Sequence, residues 1–333
     1  MNKSLRFNLC GLVATIAMVC PAHAQLPGAE IIRLDESFDA LVAPGTPIEQ
    51  VAGDFKFTEG PMWHQGRLWI SDVVADTIFA VSPSGAVETL VAKAGGYPDP
   101  PAGSYLGPNA MVTDKDGTVL LAQQGGRKLV RIDAHLAIQP FLDGFGGKKF
   151  NSPNDLVFAP DGSLWFTDPP YGLAGGDADP AKELRYDGVY RYANGKLTLA
   201  VKDLTLPNGI GFSPDGKWLY VANSGPRMRV VKYAVGKHGV LSTGKSLIEF
   251  PDTKELGVPD GLKVDSLGNV WTTAPGGIRI VRPDGKVLGQ IKLPETAANL
   301  AWADAGQTLY ITARTGVYRL KVATPGVMPL YQR

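Results

Sequence analysis

Six polar residues with side-chain oxygens each open a similar phrase of the sequence: Glu59, Asn109, Asn154, Asn208, Asp260 and Asn299. An apolar run follows each of these openers, and a turn glycine stands seven or eight residues after it. Because the openers share one place in a repeat, we expect them to be equivalent in space. A single Asn or Asp beside Pro or Gly is typical of an Asx turn. Six in register, two of them carboxylates, instead favour one shared site.

A cluster of Glu, Asp and Asn oxygens would suit a hard divalent cation. Ca²⁺ accepts roughly six to eight oxygen ligands in flexible geometry. We therefore expect Ca²⁺ first, with Mg²⁺, Mn²⁺ and Zn²⁺ as alternatives. Zinc is the least suited, because His64, His135 and His238 fall at different positions of their repeats and no HExxH pattern occurs.

The period of the repeat predicts an all-β, six-bladed β-propeller with four-stranded blades. The turn glycines stand about 40 to 55 residues apart, at Gly66, Gly117, Gly162, Gly216, Gly268 and Gly306. Two hairpins per repeat would make a four-stranded blade, and Asn-Gly or Asp-Gly turns between alternating apolar runs support them. We expect one propeller domain over residues 25–333. Residues 47–51 are predicted to pair with the blade that contains Gly316 to Lys321, which would close the ring.

The first 24 residues have the composition of a cleaved secretory signal. Lys3 and Arg6 give a positive start, and residues 9–20 are apolar but too short to span a bilayer. The Ala-His-Ala at 22–24 is typical of a cleavage site. A retained anchor is the alternative interpretation. We expect a periplasmic or secreted protein with no membrane insertion after cleavage.

The exported chain would be nearly neutral and free of cysteine. Cys10 and Cys20, the two cysteines of the sequence, both lie within the signal. A disulfide, a thiolate metal site and a Cys nucleophile are therefore excluded for the mature chain. The formal net charge of +1 becomes −1 when Lys3 and Arg6 are removed. Without a basic surface, nucleic acid is not an expected partner.

Several stretches of the sequence resemble bacterial gluconolactonases of the regucalcin and gluconolactonase family. They are EGPMW, NSPNDLVFAPDGSLWFTDPPYG, GVYRY, LPNGIGFSPDGKWLYVAN and VPDGLKVDSLGNVW, and the likeness runs from about Glu30 to Leu320. The resemblance implies a six-bladed propeller with a divalent metal at the entrance of its central channel. The family's metal positions fall on Glu59, Asn154, Asn208 and Asp260.

The resemblance also implies hydrolysis of a sugar-derived lactone, such as glucono-1,5-lactone, to the aldonic acid. A cation that polarises the lactone oxygen suits that chemistry. Asp260 or Glu59 would accept a proton from the attacking water, and family analogy favours Asp260. Asn109 and Asn299 are expected to line the funnel and bind substrate hydroxyls.

The chain departs from family patterns at two places. Ser152 stands where animal regucalcins have an Arg that grips sugar hydroxyls. In the second repeat, Gln123 and Gln124 stand where bacterial relatives often carry His, and we expect Gln123 to contact the substrate. Tyr171 follows a Pro-Pro corner and would either wall the pocket or pack against a loop.

Some neighbouring residues have two readings. Asp155 and Asp168 would orient Asn154 or the water, or would serve as a turn cap and a surface charge at a strand end. Four tryptophans at or beside one repeat position are predicted to pack between blades: Trp69, Trp165, Trp218 and Trp271.

Two other functions remain open. A metal-dependent esterase or an organophosphate hydrolase resembling diisopropyl fluorophosphatase would use the same fold and cation. A non-catalytic binding propeller is the second alternative, since propellers host many functions. A serine hydrolase is disfavoured, because no G-x-S-x-G elbow occurs.

Overall fold

The structure is a computed structural model that describes residues 26–251 and 254–332. The predicted signal, residues 1–24, lies outside the described residues. The architecture is a six-bladed β-propeller, as the repeat predicts. No helix in the described part of the chain is long and apolar enough to cross a membrane.

Blades 1 to 3 are antiparallel four-stranded sheets whose strands are neighbours in sequence order. The strands of blade 1 are Thr58–His64, Arg67–Asp72, Thr77–Val81 and Val87–Ala92. Those of blade 2 are Pro108–Thr113, Val119–Gln123, Lys128–Ile132 and Ile138–Leu142. Those of blade 3 are Leu156–Phe158, Leu164–Asp168, Asp187–Ala193 and Lys196–Leu204. A short hairpin, Gly144–Phe145 with Lys148–Lys149, precedes blade 3.

Blades 4 to 6 complete the ring. The strands of blade 4 are Pro207–Phe212, Trp218–Asn223, Arg229–Ala234 and Lys245–Glu249. Those of blade 5 are Leu262–Val264, Val270–Ala274, Gly277–Val281 and Val287–Lys292, with Glu30–Arg33 as a fifth, outermost strand. Those of blade 6 are Ala297–Ala303, Thr308–Ala313, Gly316–Lys321 and, outermost, Glu49–Ala52. Four 3₁₀ helices are described, at Glu36–Ala40, Gly176–Ala178, Lys237–Gly239 and Asp304–Gly306.

Glycine makes the turn after each inner strand. The six turn glycines predicted from the sequence have φ between +68° and +87°. A side chain there would be strained in the left-handed region, whereas glycine adopts it freely. This backbone requirement explains why the repeat is visible in the sequence at all.

Apolar packing between blades forms the core. The described residues form six apolar clusters, and each cluster joins two neighbouring blades around the ring. Trp69, Trp165 and Trp271 are buried within these clusters, as predicted. The prediction is wrong for Trp218, which is 36% exposed. Trp218 begins its strand at the outer surface, where the Lys232 ammonium lies 4.8 Å from its ring centroid.

The chain closes its ring with an N-terminal strand. Glu49–Ala52 pairs antiparallel with Gly316–Lys321, and Glu49 lies opposite Arg319. The Arg319 Nε donates to Glu49 Oε2 at 2.7 Å. The predicted pairing is confirmed: a segment that precedes the first blade supplies the outermost strand of the last blade.

Candidate functional site

Five of the six openers line one cavity of about 300 Å³ at one end of the central channel. They are Glu59, Asn109, Asn154, Asn208 and Asp260. The other lining residues are Phe57, Val73, Tyr105, Gln124, Tyr171 and Val258. A radial arrangement of blades therefore brings together side chains that are up to about 200 residues apart in sequence.

Irregular strand ends aim the openers at the cavity. In blades 1, 2 and 4 the register of the inner strand shifts at the opener, between Glu59 and Met62, Pro108 and Met111, and Pro207 and Ile210. Bulges of this kind redirect a side chain out of the regular alternation. In blades 3 and 5 the inner strand starts only at Leu156 and Leu262, two residues after the opener.

Glycines that follow three openers let neighbouring blades meet closely. A Cβ on Gly60 would lie 2.3 Å from the Asn109 carbonyl oxygen. A Cβ on Gly209 would lie 2.3 Å from the Asp260 carbonyl oxygen, which accepts from Gly209 N at 2.9 Å. A side chain at either glycine would force the ring of openers apart. The recurring EG, NG and DG pairs are thus the sequence signal for this tight contact.

The two carboxylates of the cavity lack a cationic partner in it. Glu59 Oε2 accepts from Gly60 N at 2.7 Å and from Asn299 Nδ2 at 3.1 Å. Burial nevertheless raises the pKa of Glu59. Burial, and then the charges of Glu59 and Asp155, raise the pKa of Asp260 well above its usual value. Such a pair favours a bound cation, which would offset the cost of keeping both groups ionised.

Amide oxygens complete the candidate donor set. Asn208 Nδ2 donates to Tyr171 Oη at 3.4 Å and to Ser224 Oγ at 3.1 Å. This leaves the buried Asn208 Oδ1 without a hydrogen-bond partner. Within the described residues, no three His, Cys, Asp or Glu side chains are placed to hold a metal. Any cation would therefore depend on the amides as well as the carboxylates, a mixture that suits a hard ion.

Two aspartates fix the backbone that carries two of the openers. Asp72 and Asp168 each end the second strand of their blade, in blades 1 and 3. Asp72 accepts the backbone N–H groups of residues 56 and 57 at 2.7 and 3.0 Å. Asp168 accepts those of residues 151 and 152 at 2.9 and 2.7 Å. Both loops thus reach the cavity in the same register, two residues before the opener. Burial raises the pKa of Asp168 to about 7.

Asp155 lies beneath the cavity, in the channel. Its carboxylate accepts Leu156 N at 2.8 Å and Ile210 N at 3.3 Å, and the Lys263 ammonium lies 3.8 Å away. The Lys263 Nζ also donates to Asn299 Oδ1 at 3.4 Å. Asn299 donates in turn to Glu59. Lys263 of blade 5 therefore connects blades 3 and 6 to the Glu59 carboxylate in the cavity. Sequence reasoning missed Lys263, although it lies three residues after Asp260 in the stretch VPDGLKVDSLGNVW.

The structure does not place two predicted substrate contacts in the cavity. The side chain of Asn299 lies in the channel. There it donates to Glu59 and accepts from Lys263 and from Leu300 N. Gln123 points away from the cavity, and its Nε2 donates to Ala94 O at 2.7 Å. Successive residues of a strand end face opposite ways, so Gln124 lines the cavity instead.

The two remaining predicted residues have clear positions. Tyr171 lines the cavity and accepts from Asn208 there. Ser152, the residue noted above as a departure from animal regucalcins, is fully buried, and its Oγ accepts Gly172 N at 2.6 Å. Ser152 therefore joins two loops and is not available to a ligand.

The fold and the cavity together define a class of protein: a six-bladed propeller with acidic and amide oxygens at the mouth of its channel. Residues 57–315 match the SMP-30/Gluconolactonase/LRE-like region. The chain is 37% identical over 314 residues to a gluconolactonase of Zymomonas mobilis, covering 89% of this chain and 87% of that one. The chain belongs to the SMP-30/gluconolactonase/LRE-like family.

Other relatives and solved structures agree with this assignment. A pentonolactonase of Haloferax volcanii is 26% identical, over 78% of this chain and 81% of that protein. The structure of a gluconolactonase from Xanthomonas campestris superimposes with a TM-score of 0.79 at 28% identity, over 91% of this chain and 99% of that chain. A calcium-binding regucalcin from Agrobacterium tumefaciens shares the fold, with a TM-score of 0.65 at 20% identity over 84% and 94% of the two chains.

Proposed function

We propose that this protein is a metal-dependent lactonase that hydrolyses a neutral sugar lactone of the glucono-1,5-lactone kind to its aldonic acid. Its family and its gluconolactonase relatives make it a hydrolase of carboxylic ester bonds. The observation that carries the proposal is the cavity itself. Two buried carboxylates and the unpartnered amide oxygens of Asn109 and Asn208 meet there.

Glu59, Asn154, Asn208 and Asp260 are the residues that would hold the cation. All four line the cavity, and their oxygens are the donors that a hard divalent ion prefers. When bound, the ion would supply Lewis acidity toward the carbonyl oxygen of the lactone. Ca²⁺ is the best match to two carboxylates and two amides.

Asp260 is the better placed of the two carboxylates to act as general base. Glu59 is held by a backbone N–H and by Asn299, whereas burial and the charges of Glu59 and Asp155 raise the pKa of Asp260 and the Asn208 side chain is the one group that lowers it. The less supported carboxylate is the more basic one. It would take a proton from water as that water adds to the lactone carbonyl carbon. The ring C–O bond then breaks as the protonated Asp260 returns its proton to the departing ring oxygen, which gives a free hydroxyl and a carboxylic acid that ionises to the carboxylate.

Asn109 supplies a polar contact for the substrate. Its Nδ2 donates to Gln124 Oε1 at 2.8 Å, and its buried Oδ1 has no partner. A substrate hydroxyl that donates to this oxygen would be oriented relative to the carboxylates. Binding the lactone ring in this way would also orient its carbonyl group for attack by water.

Turnover of D-glucono-1,5-lactone tests the proposal. Purified protein should hydrolyse the lactone, lose at least about 90% of its rate after EDTA dialysis, and regain it with Ca²⁺. An aryl ester and a fluorophosphate serve as competing substrates. Faster turnover of either would favour an esterase or organophosphate hydrolase, and no metal-dependent turnover of any of the three would favour a binding propeller.

Export is a second element of the proposal, supported by the composition of residues 1–24. In the periplasm or outside the cell, the enzyme would meet lactones formed by sugar oxidation outside the cytoplasm. Cell fractionation and N-terminal sequencing of the mature protein test this. A mature chain should begin at Gln25, and a cytoplasmic protein that retains Met1 would contradict export.

A further inference from the structure

The walls of the cavity are mainly apolar, although its floor is acidic. Phe57, Val73 and Val258 contribute hydrophobic surface, and two tyrosines stand beside them. Of these tyrosines, Tyr105 is 47% exposed at the rim. A large ring left exposed at a pocket mouth is a ready contact for a ligand.

Tyr105 is held in place by two contacts. Its ring meets that of Phe57 edge-on, with centroids 5.1 Å apart and an interplanar angle of 83°. Its carbonyl oxygen accepts from Gln124 Nε2 at 2.6 Å, and Gln124 Oε1 accepts from Asn109. The aromatic ring is therefore fixed relative to the amide that faces the substrate, even though the ring itself meets solvent.

The cavity offers no cationic side chain. Among its described lining residues, Glu59 and Asp260 are the charged ones, and Lys, Arg and His are absent. The nearby Lys263 is engaged with Asp155 in the channel. Arg314 stacks on Phe57, with 6.0 Å between guanidinium carbon and ring centroid, but does not line the cavity. A divalent cation would balance the two carboxylates and leave no positive charge for a second anionic group.

On the basis of the proposed lactonase function, we propose that Tyr105 is a specificity-determining platform for the substrate. Its ring, packed against Phe57, would stack on the C–H face of an uncharged lactone ring. The same cavity discriminates against lactones that carry a phosphate, sulfonate or carboxylate arm, because such an arm would be desolvated beside two carboxylates without a basic partner. Recognition would combine ring stacking on Tyr105 with hydrogen bonding to Asn109.

A pair of substrates and three variants test the platform. Wild-type protein with saturating Ca²⁺ is compared on D-glucono-1,5-lactone and on its 6-phosphorylated form, which differs only by the anionic arm. We expect kcat/KM at least about 100-fold higher for the neutral lactone. Tyr105→Ala should raise KM for the neutral lactone about five- to tenfold, with kcat within about twofold.

Two further variants complete the test. Tyr105→Phe keeps the ring and should recover most of the lost affinity. Tyr97→Ala removes another exposed tyrosine that does not line the cavity and should leave KM unchanged. Melting temperatures of all variants should match that of the wild type, because both tyrosines are exposed.

The outcomes separate the platform from the function on which it rests. If wild-type protein turns over the neutral lactone but Tyr105→Ala keeps its KM, the platform is wrong and the lactonase stands. Comparable turnover of the phosphorylated lactone would overturn the charge discrimination. If neither lactone is hydrolysed, the proposed function itself fails, and the platform with it.

Discussion

At the scale of single residues, the candidate site depends on which oxygens have no partner inside the protein. Asn208 Oδ1 and Asn109 Oδ1 are both buried and unpaired, while the nitrogens of both amides are engaged. An unpaired buried acceptor costs roughly 1–3 kcal/mol unless something binds it. Both oxygens belong to residues that line the cavity, so a cation and a substrate hydroxyl are the ligands that would repay this cost.

Asn208→Ala should weaken Ca²⁺ binding by at least about tenfold, since it deletes one of four donors. Asn223→Ala is the matched control. Asn223 is a buried asparagine of the same blade with an unpaired Oδ1, but it does not line the cavity. Isothermal titration with Ca²⁺ measures both variants. Equal affinities would contradict the assignment of Asn208 as a ligand.

The two cavity carboxylates should differ in how their loss is rescued. Glu59→Gln removes one negative charge from the donor set and should weaken Ca²⁺ binding, so its activity should recover substantially when Ca²⁺ is raised to saturation. Asp260→Asn also removes a negative charge but takes away the base as well, so kcat should remain lower by at least about 100-fold even at saturating Ca²⁺. Steady-state kinetics across a Ca²⁺ series make the comparison. Full rescue of Asp260→Asn would exclude Asp260 as the base.

At the scale of elements, the site is held by groups at the ends of the second strands and by one channel lysine. Asp168 holds the loop before Asn154, and Lys263 ties blade 5 to Asp155 in blade 3. Neither residue touches the cavity. Both act on the backbone or on another side chain that positions an opener.

The raised pKa of Asp168 makes a prediction about pH. A carboxyl whose folded pKa lies above its unfolded pKa contributes stability below the unfolded value and loses it as pH rises through the folded value. For Asp168 that window runs from its ordinary 3.8 to about 7. Asp168→Asn should therefore flatten the fall in melting temperature between about pH 4 and pH 7, although it lowers stability throughout. Parallel pH profiles for variant and wild type would contradict this.

Lys263→Met should lower the free energy of unfolding by about 1–3 kcal/mol, because it leaves the Asp155 carboxylate buried without its cation. The ammonium is partly exposed, which keeps the expected loss below that of a fully buried pair. Adding Asp155→Asn should recover part of the loss, and urea denaturation of both single variants and the double variant gives the coupling. Strictly additive losses would mean that the two side chains do not interact.

At the scale of the whole molecule, radial closure converts sequence repetition into a single site. Six interblade clusters carry the packing, and the N-terminal segment adds outer strands to the last two blades. Deleting residues 25–52 removes both of these strands together with the fully buried Phe38. We expect a fall in melting temperature of at least about 10 °C. An unchanged melting temperature would mean that closure contributes little.

The sequence predicts the blades, the ring closure and the convergence of most openers, because turn glycines and openers repeat in register. It does not predict the fifth strand of blade 5, since Glu30–Arg33 pairs with residues about 260 positions away and carries no turn signal. Gln123 was expected to contact the substrate, but it ends its strand facing away from the cavity, and the next residue, Gln124, lines it. The role of Lys263 could not be predicted from the sequence, because it depends on contacts with two other blades.

The direct test of a shared cation site is a crystal structure of the protein grown with Ca²⁺, with anomalous scattering to identify the ion. We predict one ion in the cavity, with oxygens of Glu59, Asn154, Asn208 and Asp260 at about 2.3–2.6 Å. An empty cavity at saturating Ca²⁺, in a protein whose lactone hydrolysis survives EDTA, would contradict it.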